Sequence, residues 1–124
     1  MIDFQNASFM KLTPVAPDAY DRTIAPLLIP GERVIAAFRT MRDGVVFTDK
    51  RIISINVQGV TGAKVDCTSL PYSKIQTYSI ETAGVLDLDG ELCLWFSGLG
   101  MVRFEFRGSK NLAEICQIIS THVL

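Results

Sequence analysis

The sequence predicts a mainly β domain: a sandwich or barrel of about seven antiparallel strands, closed by one C-terminal helix. Three observations carry this. From Glu32 onward, short β-branched and aromatic runs alternate with turn residues. Two of those runs, SKIQTYSIET and MVRFEF, alternate along their length as half-buried strands do. At the end the period changes, and Leu112, Ile115, Cys116, Ile119 and Val123 form a helical stripe over Lys110–His122.

The elements follow in order. The first dozen or so residues carry no clear secondary-structure signal. Asp18, preceded by Pro17, is a plausible N-cap, and Ala19, Tyr20, Thr23, Ile24, Leu27 and Leu28 then fall at helical spacing. Pro26 and the pair Pro30-Gly31 keep that helix short and end it before Glu32. ERVIAAFRTM reads as the first clear strand, and Arg42-Asp43-Gly44 as the tight turn after it. VVFT and RIISINV form a second hairpin around Asp49-Lys50. The loop QGVTGAK leads to a strand near VDCTSL, and Pro71 marks a bend or a sheet edge. In SKIQTYSIET, the residues Ile75, Thr77, Ser79 and Glu81 point one way and Gln76, Tyr78 and Ile80 the other. Gly84 and Asp89-Gly90 punctuate the approach to ELCLWFS, and SGLG turns the chain into MVRFEF. There Val102, Phe104 and Phe106 take one face, and Arg103, Glu105 and Arg107 the other. Ser109 is a candidate N-cap for the final helix.

Composition narrows the function. The 124 residues suffice for one core, and 48% of them are apolar, 20% charged. A mean hydropathy of +0.29 is high for so small a body. Surplus apolar surface of that kind points to self-association. Twelve basic residues against thirteen acidic ones give a net charge of −1. That balance argues against nucleic acid as the main partner, because such binding draws on a basic field. The start lacks the pattern of a secretion signal, no apolar run approaches membrane-spanning length, and the cytoplasm is the expected compartment. Cys67, Cys93 and Cys116, odd in number and widely spaced, read as buried free thiols.

Few stretches suggest chemistry. TDKR, residues Thr48 to Arg51, is first a hairpin bend, although Arg51 could present a guanidinium on a sheet face. DLDGE places Asp87, Asp89 and Glu91 at spacing two, which would line carboxylates along one side of an extended segment. The segment lacks the remaining ligands of a calcium loop and reads as a solvated turn, not a metal site. With Glu81 it makes an acidic patch able to attract a basic partner surface. His122 is the sole histidine and has no neighbouring nucleophile. No nucleophile elbow, zinc-protease pair, phosphate loop or dinucleotide fingerprint occurs. The expectation is therefore no enzyme, no catalytic residue, no cofactor and no metal. ELCLWF is different: Leu92, Leu94 and Phe96 fall on one face, Cys93 and Trp95 on the other. A strand apolar on both faces needs a second cover, either the terminal helix or another copy of the chain. These five residues are the candidates for a protomer interface.

The residues from Pro30 to about Gly98 resemble the bacterial pleckstrin-homology-like domain family, once a domain of unknown function. The matching pieces are Pro30-Gly31-Glu32, Arg42-Asp43, Phe47-Thr48-Asp49-Lys50-Arg51, Gly59 with Thr61-Gly62, Pro71-Tyr72, Ile75, Glu81-Thr82-Ala83-Gly84, and Asp87-Leu88-Asp89 with Glu91. The resemblance implies two nearly orthogonal sheets with the terminal helix capping one open end. It places the domain at residues 30–124, after an N-terminal segment 1–29 that holds the short helix. It also implies a cyclic homo-oligomer, a five-fold ring with a hydrophilic surface where strands of adjacent protomers meet. One departure stands out: Gly62-Ala63-Lys64 replaces an expected glycine and two lysines, which counts against a basic role for that loop. The loop at Thr40–Gly44, with Arg39, is too short and mixed in charge to carry over inositol-phosphate binding. The expected function is thus a non-enzymatic scaffold that offers a polar surface to an unknown protein partner. The candidate surface comprises Arg42, Asp43, Asp49, Lys50, Arg51, Glu81, Asp87, Asp89 and Glu91. Peripheral binding to membrane lipid is the disfavoured alternative.

Overall fold

The computed structural model describes residues 1, 3–6, 10–82, 89–108 and 112–124. Eight strands form it: β1 (Met10–Val15), β2 (Val34–Thr40), β3 (Asp43–Thr48), β4 (Arg51–Gln58), β5 (Lys64–Pro71), β6 (Ile75–Thr82), β7 (Gly90–Phe96) and β8 (Gly100–Phe106). The helices are a short α1 (Asp21–Ile24), continued by a 3₁₀ turn at Ala25–Leu27, and α2 (Leu112–Val123). The expected count of about seven strands becomes eight because β1 forms where local sequence gave no signal.

The strand order is β5-β4-β3-β2-β1-β8-β7-β6, one sheet curled into two limbs. β1 joins the limbs. Its first residues run parallel to β8 (Met10 beside Glu105, Leu12 beside Phe106), and its last run antiparallel to β2 (Thr13 beside Arg39, Val15 beside Ala37). The limbs close on one core, in which Phe38 of β2 lies 4.9 Å from Phe106 of β8 and Phe47 of β3 lies 5.9 Å from Phe104. Such edge-on aromatic pairs add to the burial of their area. α2 turns Leu112, Ile115 and Ile119 into this core, and the Tyr78 and Ser120 hydroxyls meet at 2.7 Å. MVRFEF keeps its alternation, with Val102, Phe104 and Phe106 buried. Ser109 lies outside the described residues.

The outer face of β2–β4 has a cover of its own. Ile24 of α1 packs on Ala37, Val46, Ile53 and Ile55, with Val15, Tyr20, Leu28, Val34 and Cys67 around them. This second cluster explains why β2, β3 and β4 are nearly continuous apolar runs: both of their faces are buried. No Asp18 side-chain cap starts the helix. Asp18 takes part through its main chain instead, its carbonyl accepting from the Asp21 N–H, and Tyr20 stands at the cap.

Two local expectations shift. The β2–β3 turn is Met41-Arg42, with Met41 at φ +30°, while Asp43 and Gly44 already pair with Thr40 and Arg39. Gly44 is small for a packing reason: a Cβ there would stand 2.4 Å from the Tyr20 ring. In β6 the register slips between Ile75 and Thr77, so the strict alternation fails. Ile75 and Tyr78 then both pack on the core, and Thr77 does not.

Candidate functional site

The Thr48–Arg51 turn is bound into the fold from several sides. The Thr48 hydroxyl accepts the main-chain N–H groups of Lys50 and Arg51, both at 3.0 Å, and donates to Glu32 Oε2 at 2.6 Å. Asp49 exchanges two bonds with Arg33, one main-chain to main-chain and one from the Arg33 N–H to Asp49 Oδ1. Tyr72, buried behind the turn, donates its hydroxyl to the Thr48 carbonyl at 2.6 Å. Burial pushes that hydroxyl far above its usual range, so it remains a donor.

Arg51 is the hub. Its Nε and Nη2 grip the two Glu32 oxygens at 2.9 Å each, Nη2 also reaches the Leu27 carbonyl at 2.6 Å, and Nη1 reaches Ser69 Oγ at 3.0 Å. Glu32 has a fully buried side chain. Burial pushes its carboxyl upward. The hydrogen bonds from Arg51, Thr48 and the Ile29 N–H, with the Arg51 charge, outweigh that and hold it below the usual carboxylate range. The bend therefore fastens the α1 segment to the sheet, and Lys50 alone of the three charged residues is exposed. Glu32 was not among the candidate surface residues; the string Pro30-Gly31-Glu32 was its one signal in the sequence.

A second charged feature lies on the other limb. Glu81 of β6 is directly opposite Glu91 of β7, which is directly opposite Glu105 of β8. The register sets three carboxylates in one row on the outer face, where like charges side by side destabilise the sheet. Arg103 stands 3.5 Å from Glu91, and Lys11 and Arg107 line the same shallow groove of about 420 Å³. Asp89 closes its end by accepting the Gly108 N–H at 3.0 Å. Asp87 lies outside the described residues. The row needs Glu105, which the sequence placed only on a solvent face. Among the described residues no group of three or more acidic, histidine or cysteine side chains is arranged to hold a metal ion.

The remaining candidates disperse. Arg42, in the β2–β3 turn, donates to the Gly59 carbonyl, and Asp43 Oδ1 accepts from the Val57 N–H and Asn56. They sit at one end of β3 and Asp49–Arg51 at the other, so the nine residues form no single patch. Of the five interface candidates, Leu92, Leu94 and Phe96 are core residues and Cys93 is buried. Trp95 alone reaches solvent, with 37% of its surface exposed. Of the three thiols expected to be buried, only Cys93 is; Cys67 and Cys116 are half-buried. Burial raises all three above their ordinary range, which favours the thiol over the thiolate. His122 stands in the last turn of α2, its Nδ1 2.9 Å from the Ile118 carbonyl and its ring 5.5 Å from that of Tyr72.

A curled sheet, antiparallel except where β1 meets β8, split into two limbs and filled by a C-terminal helix, defines a pleckstrin-homology-like domain. The model of the bacterial PH domain family matches residues 3–123, and the chain belongs to that family. It is 42% identical over 104 residues to the uncharacterized protein YjqA of Bacillus subtilis, covering 82% of this chain and 83% of that one. A DUF1696 family protein with a pleckstrin-homology domain from Shewanella loihica matches in structure with a TM-score of 0.73 at 36% identity, over 92% of this chain and 98% of that one. A pleckstrin homology domain from Shewanella amazonensis gives a TM-score of 0.59 at 37% identity, over 89% and 90%. Among the described residues, no helix is long and apolar enough to cross a membrane.

Proposed function

We propose that the chain is a non-enzymatic interaction module that assembles into a cyclic homo-oligomer, a pentamer, and displays a repeated polar surface to a protein partner. The observation that carries this reading is the unequal cover of the two limbs. β2–β4 have α1 on their outer face, whereas β6–β8 leave Trp95 half-exposed on theirs. A second copy is a natural cover for such a face, and a head-to-tail contact with closing rotation gives a ring. The exposed Glu81 and Lys50 then recur around it and can add weak contacts into avidity. Size-exclusion chromatography with light scattering at two salt concentrations tests the ring. A mass of five protomers that survives salt supports an apolar contact; a monomer at both concentrations removes the ring.

One feature favours a second reading, docking on a lipid surface. Met41 and Val60, each in a loop at the same end of the sheet, are fully exposed, and Arg42 ties the two loops through Gly59. Co-sedimentation with anionic vesicles across a salt series separates the readings. Retention that falls steeply with salt supports lipid docking. A chain that stays in the supernatant at low salt ends it.

A further inference from the structure

A channel of about 500 Å³ runs along the outer side of β5 and takes no part in the roles above. Its lining is Thr23, Leu27, Arg51, Val65, Cys67 and Ser69. One wall is β5, the last strand in the sheet order; the other is α1 with its 3₁₀ turn. Leu27 and Val65 face each other's elements with 42% and 45% of their surface exposed. Among the described residues, the main-chain hydrogen bonds of β5 go to β4 alone. Alternate N–H and C=O groups on its far side are therefore open to another strand.

The polar end of the channel is rich in donors. A guanidinium has five N–H groups. Arg51 spends four, two on Glu32, one on the Leu27 carbonyl and one on Ser69 Oγ. The fifth, on Nη1, has no acceptor among the described residues. Ser69 accepts from Arg51 and so keeps its own O–H to give. The Glu32 grip holds Arg51 in place, so these donors are preorganised for an incoming oxygen.

We propose that this channel binds an extended segment of a partner protein by strand addition to β5. Apolar side chains at alternate positions of the segment contact Leu27, Val65 and Cys67, and an oxygen acceptor meets Arg51 and Ser69. A helix satisfies its own main chain and would leave the β5 edge open, so an extended strand is the form that answers both walls. The other free edge, β6, is a poorer host: α2 packs beside it, and its outer face carries the glutamate row. This inference rests on the interaction-module reading and narrows the partner to an extended apolar strand.

The test is selection of a random phage-displayed peptide library on the intact chain, then fluorescence polarisation and hydrogen exchange with the selected peptides. The expected peptides carry apolar residues at every second position and slow exchange of the β5 amides. Val65→Lys and, separately, Leu27→Ser weaken them by about tenfold or more, as loss of a central apolar contact does. Thermal melts of both variants confirm that the fold is kept. Peptides without alternation, or equal affinity for wild type and both folded variants, overturn the proposal. Peptides that protect another surface overturn it too but leave the interaction module standing, whereas failure to select any binder, with a monomeric mass, ends both. If β5 amides are already slow without peptide and quicken on dilution, a second copy occupies the channel and the peptide proposal falls.

Discussion

The outer faces of the two limbs are built from similar strands and finished differently. On β2–β4 the chain lays its own helix over Ala37, Val46, Ile53 and Ile55, and the Arg51–Glu32 pair fastens that helix down. On β6–β8 no such cover exists among the described residues; Trp95 lies half-open and three glutamates share a row. A face sealed with a buried ion pair serves stability. A face left with an exposed indole and neighbouring carboxylates forgoes part of that stability.

Substitutions can break or sharpen that contrast. The largest effect belongs to Glu32→Ala, which strands the Arg51 guanidinium and cuts the α1 segment from the sheet. We expect a loss of about 4 kcal/mol, the size seen when one partner of a buried pair is removed, measured by urea unfolding at neutral pH. The pH dependence has a definite sign. The folded Glu32 carboxyl is held below its unfolded value, so its contribution is present above the ordinary carboxylate range and fades as pH falls through the lowered folded value. Wild type and Glu32→Ala should therefore converge in stability under acid.

Next is Ile24→Ala, which removes the centre of the cluster beneath α1 and should cost about 3 kcal/mol. A loss as small as that of an exposed residue would mean that α1 is not a true cover. On the bare limb, Trp95→Ser should change monomer stability by less than about 1 kcal/mol, with its main effect on solution mass. Smallest is Glu105→Gln, which relieves the repelling row and should raise stability by about 0.5 kcal/mol at low salt. A loss instead would show that Lys11 and Arg107 make that carboxylate a net asset.

Much of this frame was legible in the sequence. The alternation of MVRFEF and the stripe ending at Val123 each encode a single element, and one element's face can be read from its own residues. What failed were features that join distant parts. β1 has no local pattern, because it is held by β2 on one side and β8 on the other. Gly44 looked like a turn residue, since composition cannot show that a tyrosine from another element packs against it. ELCLWF drew attention as the strand apolar on both faces, whereas the double cover of β2–β4 by the short helix upstream had no signal in any single stretch. The glutamate row could not be foreseen either, since it depends on a three-strand register that no single stretch contains.

The bridging position of β1 also bears on how the molecule folds. Gln5, just upstream of β1, reaches the carbonyls of Leu99 and Met101, and the first of these lies 94 residues away along the chain. β1 therefore waits for β8, far along the chain, before both of its neighbours exist. Closures between such distant segments pay a large loop entropy before they gain contacts, and domains rich in them fold slowly. Refolding followed by stopped-flow fluorescence of Trp95 should thus be slow for a chain of this length, and Leu12→Ala, at the seam, should slow it further. If that substitution speeds unfolding alone, the seam closes after the rate-limiting step.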